Sequence, residues 1–345
     1  MHAHAEMIVF AREALGLLPE AEVELTPLAG RGSDRSYFRL RWGAGASVIL
    51  VRYAESRVEN AYFADIARFL QEIAIPVPAV LRHDRNKGLL AMTDLGDVDL
   101  WSLRQEPWEE RKRLYQKTLK VVHRLHAFPA HTFPSNQVTL MEAFGPDLYR
   151  WERDYFRDHF VSALCGVKVD QEFGRELETE LAGLAERLGC GSQSLVHRDL
   201  QSQNVMIYRK EPYLIDFQGL RFGNSFYDLG SLLCDPYVAL AAEERRELLS
   251  FYFGLSTPKL AWDRFEKAFW EASAQRLMQA LGAYGFLGLT KGLTQYLAHV
   301  PSGLANLRSA AEKAASLPRL LDLCDRCGRA LNIRDSRQRN ERPTC

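Results

Sequence analysis

The chain has little excess charge of either sign, few cysteines, no internal repeat and no low-complexity linker. Its 44 basic residues are balanced by 44 acidic ones. That balance gives no electrostatic footprint for nucleic acid or an anionic membrane surface, and neither is expected as a partner. No apolar run approaches the roughly 18 residues a membrane span needs, and the first two dozen residues carry early acidic charge where a signal peptide would have an apolar core. A cytoplasmic protein, monomeric or weakly dimeric, is the expectation. The six cysteines, Cys165, Cys190, Cys234, Cys324, Cys327 and Cys345, are too sparse in 345 residues for a disulfide framework. Cys324 and Cys327 form a single C-x-x-C. With no second pair and no nearby histidine it reads as a reduced pair on a helix, not a zinc site.

What is present is a chain of 345 residues, 47% of them hydrophobic, long enough for two lobes with cores of their own. The stretch MHAHAEMIVFAREALGLLPEAEVE has the spacing of an amphipathic helix. SYFRLRW and SVILVRY read as two short strands joined at Gly43-Ala44-Gly45. NAYFADIARFLQEI has helical spacing and is stopped by Pro76 and Pro78, and LLAMTDLG reads as a further strand ending at Gly96. From Trp101 to about Leu188 the pattern is helical, interrupted near Pro129 to Pro134. Short strands and loops occupy 195–217, and helices return from Asp228 to Leu323. Segregated strand-rich and helical parts predict an α+β fold of two lobes, not an alternating parallel sheet. The expected organisation is a small antiparallel-sheet lobe over 1–96, a helical lobe over 97–330 and a polar, disordered tail over 331–345.

The most demanding pattern is His197-Arg198-Asp199-Leu200-Gln201-Ser202-Gln203-Asn204, followed by Leu214-Ile215-Asp216-Phe217-Gln218. Phosphoryl transfer needs a group to orient the acceptor hydroxyl and take its proton, and cations to neutralise the charge on the transferred group. Asp199 at the head of a tight loop suits the first task. Asn204, five residues on, and Asp216 in the next hairpin supply the oxygen ligands for the second. The spacing is that of the kinase loop H-R-D-x-x-x-x-N, with D-F-Q where D-F-G would stand. A hairpin in which these residues only cap turns is the bland alternative, and it does not account for so specific a spacing.

These motifs resemble the aminoglycoside phosphotransferase and choline kinase superfamily, over nearly the whole chain. The resemblance implies a protein-kinase-like fold and a small-molecule acceptor. It also implies ATP, or GTP, as co-substrate with Mg2+. By motif, Asp199 is the expected base, His197 the residue that positions the loop, and Asn204 and Asp216 the metal ligands. Gln201 stands where protein kinases carry lysine, which fits a small-molecule kinase. Asp228 in FYDLGSLL resembles an acidic residue that braces the catalytic loop, and it is also a plausible helix N-cap.

On the nucleotide side, Ala29-Gly30-Arg31-Gly32-Ser33-Asp34-Arg35-Ser36 is a small-residue loop that lets backbone N–H groups approach phosphates, with Ser33 and Arg35 as the contacts. The usual phosphate-binding lysine of the third strand is replaced by Arg52, a planar fork in place of a point charge. Glu59, or else Glu72, is its expected partner; alternatively Arg35 or Arg39 does this work while Arg52 faces solvent. Met92 and Asp94 lie in the stretch that resembles the purine-binding hinge.

Within the superfamily, SDRSYFRL, LLAMTDLGDVDLW, VHRD with its later Ser and Asn, LIDFQ, YDLGSLLCDPY, AQRLMQALGAYG and YLAHVP together resemble bacterial kinases acting on the anomeric hydroxyl of N-acetylmuramate and N-acetylglucosamine. Those kinases serve cell-wall recycling. Asp235, Arg276, Gln279 and Tyr284 are then the expected pocket-lining groups. Taken singly, Arg276 and Gln279 also suit a helix surface and Tyr284 a core. Tyr149, Trp151 and Phe156 read as packing residues more than as a sugar platform. Two other readings stay open. One is a kinase of aminoglycosides, choline or homoserine-like compounds, and the other is a pseudokinase that only binds nucleotide.

Overall fold

The structure is a computed structural model, which describes residues 2–28, 35–54, 58–190, 193–255 and 260–340, with side chains from residue 4 to 333. The chain divides into two compact units, residues 1–142 with 203–221, and residues 143–202 with 222–345.

The first unit begins with α1 (His2–Leu15), followed by β1 (Val23–Pro27), β2 (Ser36–Trp42), β3 (Ala46–Arg52), α2 (Val58–Glu72), β4 (Val80–Asp84), β5 (Leu89–Thr93) and α3 (Trp108–His126). The strands form one antiparallel sheet in the order β1-β2-β3-β5-β4. The run SVILVRY is buried from Val48 to Val51 because β3 is the central strand and is covered on both faces. Met7, Phe10 and Ala11 of α1 pack on Leu40, Val48, Leu50, Leu89 and Ala91. The helical pattern at the N-terminus stops sooner than its composition suggests. Gly16, at φ +63°, ends α1, and the following acidic segment becomes edge strand β1. β4 is the element that sequence periodicity misses, since its polar Arg82, His83 and Asp84 belong to an edge, where alternation is weak.

The second unit contributes α4 (Pro146–Phe156), α5 (Gln171–Gly189) and β6 (Ser194–Val196). The chain then returns to the first unit for the hairpin β7 (Val205–Tyr208) and β8 (Glu211–Leu214). In that unit Val98 and Leu100 pair with Ile207 and Val205 through backbone bonds of 2.7 and 3.0 Å. After β9 (Arg221–Gly223) come α6 (Ser225–Leu233), α7 (Ala242–Leu255), α8 (Trp262–Gly285), α9 (Val300–Ala314) and α10 (Pro318–Asn340). Residues 331–340, expected as a tail, continue α10, while 341–345 lie outside the described residues. α8 is the centre of this unit. It is buried almost throughout from Phe269 to Gly285, and it packs against α4, α6 and α9. Tyr149 and Phe156 are core residues of this unit, whereas Trp151 is 49% exposed and stacks on Tyr155. Cys324 and Cys327 are buried free thiols one turn apart in α10.

Glycine lets α8 approach its neighbour. A Cβ on Gly285 would lie 2.3 Å from the backbone oxygen of His159. Alanine normally favours a helix over glycine by about 1 kcal/mol, but here the overlap is with backbone, which cannot swing aside. Gly285→Ala is therefore expected to destabilise the chain by about 1–3 kcal/mol, read as a lower urea midpoint. An unchanged or higher midpoint would show that the two segments do not meet so closely.

Candidate active site

The H-R-D-x-x-x-x-N motif is divided between the units, His197 to Ser202 in the second and Gln203 and Asn204 in the first. In the second unit, β6 delivers Leu195 and Val196, both fully buried, directly into His197, which is itself 1% exposed. The backbone N–H groups of His197 and Arg198 donate to Oδ2 and Oδ1 of Asp228 at 2.7 and 2.8 Å. Arg198 has φ +75°, a left-handed conformation that a non-glycine residue adopts only where its surroundings impose it. Asp228, completely buried in α6, supplies that constraint. Its role as a helix cap is taken by Asn224, whose side chain accepts from the Phe226 N–H.

The far end of the same loop is held by a second carboxylate. Asp235 accepts from Ser202 N–H at 2.7 Å and from Tyr237 N–H at 2.9 Å. It is 1% exposed, and burial lifts its carboxyl to about 6, although both backbone bonds favour the ionised form. Asp235 lines a narrow cleft with Gln201, Ser231 and Arg276, but its oxygens are engaged in holding the loop.

Between the two clamps stands Asp199. Its Oδ1 receives Nη2 of Arg276 at 2.8 Å. Arg276 also donates to Ser231 Oγ and to Gln279 Oε1. Arg276, Gln279 and Asp199 are thus brought together. Tyr284 belongs to a neighbouring aromatic group, edge-on to Tyr237 and stacked on Tyr296, and burial raises its hydroxyl far above the usual range. Glu152, which composition gave no reason to single out, is a buried acid in the same unit. It accepts from Tyr227 Oη at 2.8 Å and Gln275 Nε2 at 3.0 Å, and burial raises its carboxyl. The signal that could have found it is its place on the inward stripe Tyr149, Glu152, Arg153, Phe156.

The first unit holds Asn204 and Asp216. Asp216 has φ +63° and follows the β8 strand, while Phe217 behind it is fully buried and stacks on Phe63 of α2 with centroids 4.5 Å apart. The Asn204 carbonyl accepts from Ile215 N–H at 3.0 Å, so the backbones that carry the Asn204 amide and the Asp216 carboxylate adjoin. Two oxygen donors of this kind fit Mg2+, which takes one or two protein ligands and completes its shell with water and phosphate. Arg35 places Nη2 2.9 Å from Asp216 Oδ1, and Gln218 Nε2 donates to the same oxygen.

The remaining nucleotide-side candidates separate. Ser33 lies outside the described residues. Arg52 is exposed at the end of β3, in register with Ser36 and Leu89, and Glu59 is half-buried in the first turn of α2. Met92 is buried in β5 opposite Ile49. Asp94 is taken up by Arg39 and Ser47, with Arg39 also reaching Asp97. Burial works against ionisation of Asp94, but the Arg39, Ser47 and Gly96 bonds outweigh it and hold its carboxyl below the usual range.

The Asp235 clamp has a pH signature. The folded chain holds this proton to about pH 6, against an ordinary 3.8, so the group adds stability below about pH 4 and that contribution is lost as pH rises through 6. Asp235→Asn removes the titration. The stability difference, wild type minus variant, is expected to fall by on the order of 3 kcal/mol between pH 4 and 7. Urea midpoints across that range measure it, and parallel profiles would refute the buried titration.

Comparison with known proteins agrees with this geometry. A family model described as "Phosphotransferase enzyme family" matches residues 24–270. An N-acetylmuramate/N-acetylglucosamine kinase of Neisseria meningitidis is 27% identical over 313 residues, covering 88% of this chain and 91% of that one. The protein of the same name from Pseudomonas aeruginosa is 24% identical over 322 residues, covering 91% of each. Among solved structures, a choline/ethanolamine kinase family protein from Mesorhizobium loti superposes with TM-score 0.61 at 17% identity, covering 92% of this chain and 99% of that one. The aminoglycoside phosphotransferase APH(2'')-Ib, ADP-bound, gives 0.58 at 14% identity, covering 92% and 99%. These likenesses show a kinase-like α+β fold. With the family model matched across well over half its length, the chain belongs to the phosphotransferase enzyme family and is a small-molecule kinase that uses ATP and a hydroxyl acceptor.

Proposed function

We propose that this chain phosphorylates the anomeric hydroxyl of an N-acetylated amino sugar, N-acetylmuramate or N-acetylglucosamine, with Mg2+ and ATP, in the cytoplasm where ATP is supplied. The observation that carries the reading is the buried guanidinium of Arg276 at 2.8 Å from Asp199. A cationic acceptor such as choline or an aminoglycoside would have to approach a base already faced by a fixed positive charge, which costs Coulomb energy in a poorly solvated site. The buried carboxylates of this unit do not offset it. Asp228 and Asp235 hold backbone N–H groups, Glu152 holds Tyr227 and Gln275, and Glu271 holds Arg187 and Ser316. A neutral or acidic sugar meets no such penalty. The names of the relatives, at 22–27% identity across 91% of their lengths, point the same way.

In this reading Asp199 accepts the proton of the acceptor hydroxyl as its oxygen forms a bond to the γ-phosphorus. The bond from that phosphorus to the β,γ-bridging oxygen breaks, and ADP leaves with the electron pair. Asn204 and Asp216 would hold Mg2+, whose bound charge offsets that of the phosphates. Arg35 moves its pairing from Asp216 to a phosphate oxygen. A hemiacetal hydroxyl is more acidic than an alkanol, so one positioned carboxylate suffices.

The test is Mg2+-dependent nucleotide consumption with N-acetylmuramate, N-acetylglucosamine, glucosamine, choline, homoserine and kanamycin. Turnover is expected with an N-acetyl sugar, giving an acid-labile, alkali-stable phosphate, and Asp199→Ala is expected to lower kcat by on the order of 10²–10⁴-fold. Activity with a cationic acceptor alone would replace this reading with the choline or aminoglycoside one. Tight nucleotide binding without any turnover would favour the pseudokinase.

A further inference from the structure

Arg276 and Gln279, expected among the groups that line the acceptor pocket, are bonded to each other and to the loop. A guanidinium offers five N–H groups in a rigid fork. That of Arg276 is fixed at three corners, by Ser231 Oγ on Nε at 3.1 Å, by Gln279 on Nη1, and by Asp199 Oδ1 on Nη2 at 2.8 Å. The arginine side chain is 8% exposed and the aspartate 37%. An exposed ion pair between two mobile side chains stabilises little. Here the cation is buried in α8 and tied to α6 and to its own next turn, while the carboxylate is the more exposed partner within the loop. The immobile member therefore sets the orientation of the mobile one.

We propose that Arg276 is a positioning residue that fixes the Asp199 carboxylate for proton transfer, with Ser231 and Gln279 holding Arg276 in turn. This rests on the reading of Asp199 as the base. The acceptor proton still passes to Asp199, and Arg276 stays protonated throughout. The loop clamps made by Asp228 and Asp235 fix the backbone on either side of Asp199, and Arg276 holds its carboxylate. A carboxylate must come within about 2.6–3.2 Å of the hydroxyl it deprotonates, so a loosened rotamer lowers the rate even in a chain that folds and binds normally.

The experiment is a double-mutant cycle of Arg276→Met and Asp199→Asn, in kinetics and in thermal unfolding. Arg276→Met is expected to lower kcat by on the order of 10²-fold with KM for ATP roughly unchanged. In the Asp199→Asn background the same change is expected to cost less than about threefold. Unfolding is expected to show coupling between the two sites. A similar loss in both backgrounds, or a wild-type kcat in Arg276→Met, would overturn the proposal. If Arg276→Met does not fold, Ser231→Ala with Gln279→Leu frees the retained cation, and a kcat loss of about tenfold, again absent with Asp199→Asn, is expected. The kinetics use whichever acceptor the wild-type chain phosphorylates. Failure with every N-acetyl sugar would sink the acceptor assignment alone, because the same cycle can be read on nucleotide hydrolysis to water.

Discussion

The two bonds that the Asp228 carboxylate accepts from the His197 and Arg198 N–H groups hold the loop that carries Asp199. They satisfy two backbone donors that burial would otherwise strand, and they hold Arg198 in a left-handed conformation that its own side chain disfavours. The direction in which Asp199 leaves the backbone follows from that twist. Asp235, two residues beyond the last residue of α6, repeats the device at Ser202. Both ends of the loop are thereby referred to α6 and its end, and α6 packs on α8.

Charge inside this unit is arranged on the same principle. Glu152, Asp228, Asp235 and Arg276 are all buried, and each is matched by donors or acceptors of fixed position. Such groups add little net stability, because desolvation consumes most of what pairing returns. What they provide is orientation, and breaking any one leaves a charge without its partner. The first unit has its own example in Arg39, buried between Asp94 and Asp97, which ties β2 to the segment after β5. Asp94 is a structural ligand of Arg39 there, whatever its neighbours do with a nucleotide.

Fold and acceptor are separate matters on this scaffold. Choline kinases and aminoglycoside kinases superpose at 14–17% identity, so the scaffold serves several acceptors and the scaffold alone names none. Discrimination has to come from the groups around the acceptor. A cation beside Asp199 in place of an acidic wall is such a feature.

The sequence by itself determined the activity class and the order of strand-rich and helical segments, and it marked Asp199, Asn204 and Asp216 as the candidates for the chemistry, because phosphoryl transfer constrains residue type and spacing along one short stretch. It also located Asp228 as a brace of the loop. It did not show β4, whose edge position removes the alternating burial that marks a strand. It did not separate the two roles offered for Asp228, nor show that Asp235 holds the loop, that Asp94 is bound to Arg39, or that Arg276 meets Asp199 from 77 residues away. Each depends on which face of a helix or strand turns toward which neighbour. Contacts between residues distant in the chain are fixed by packing, and local pattern carries no record of them.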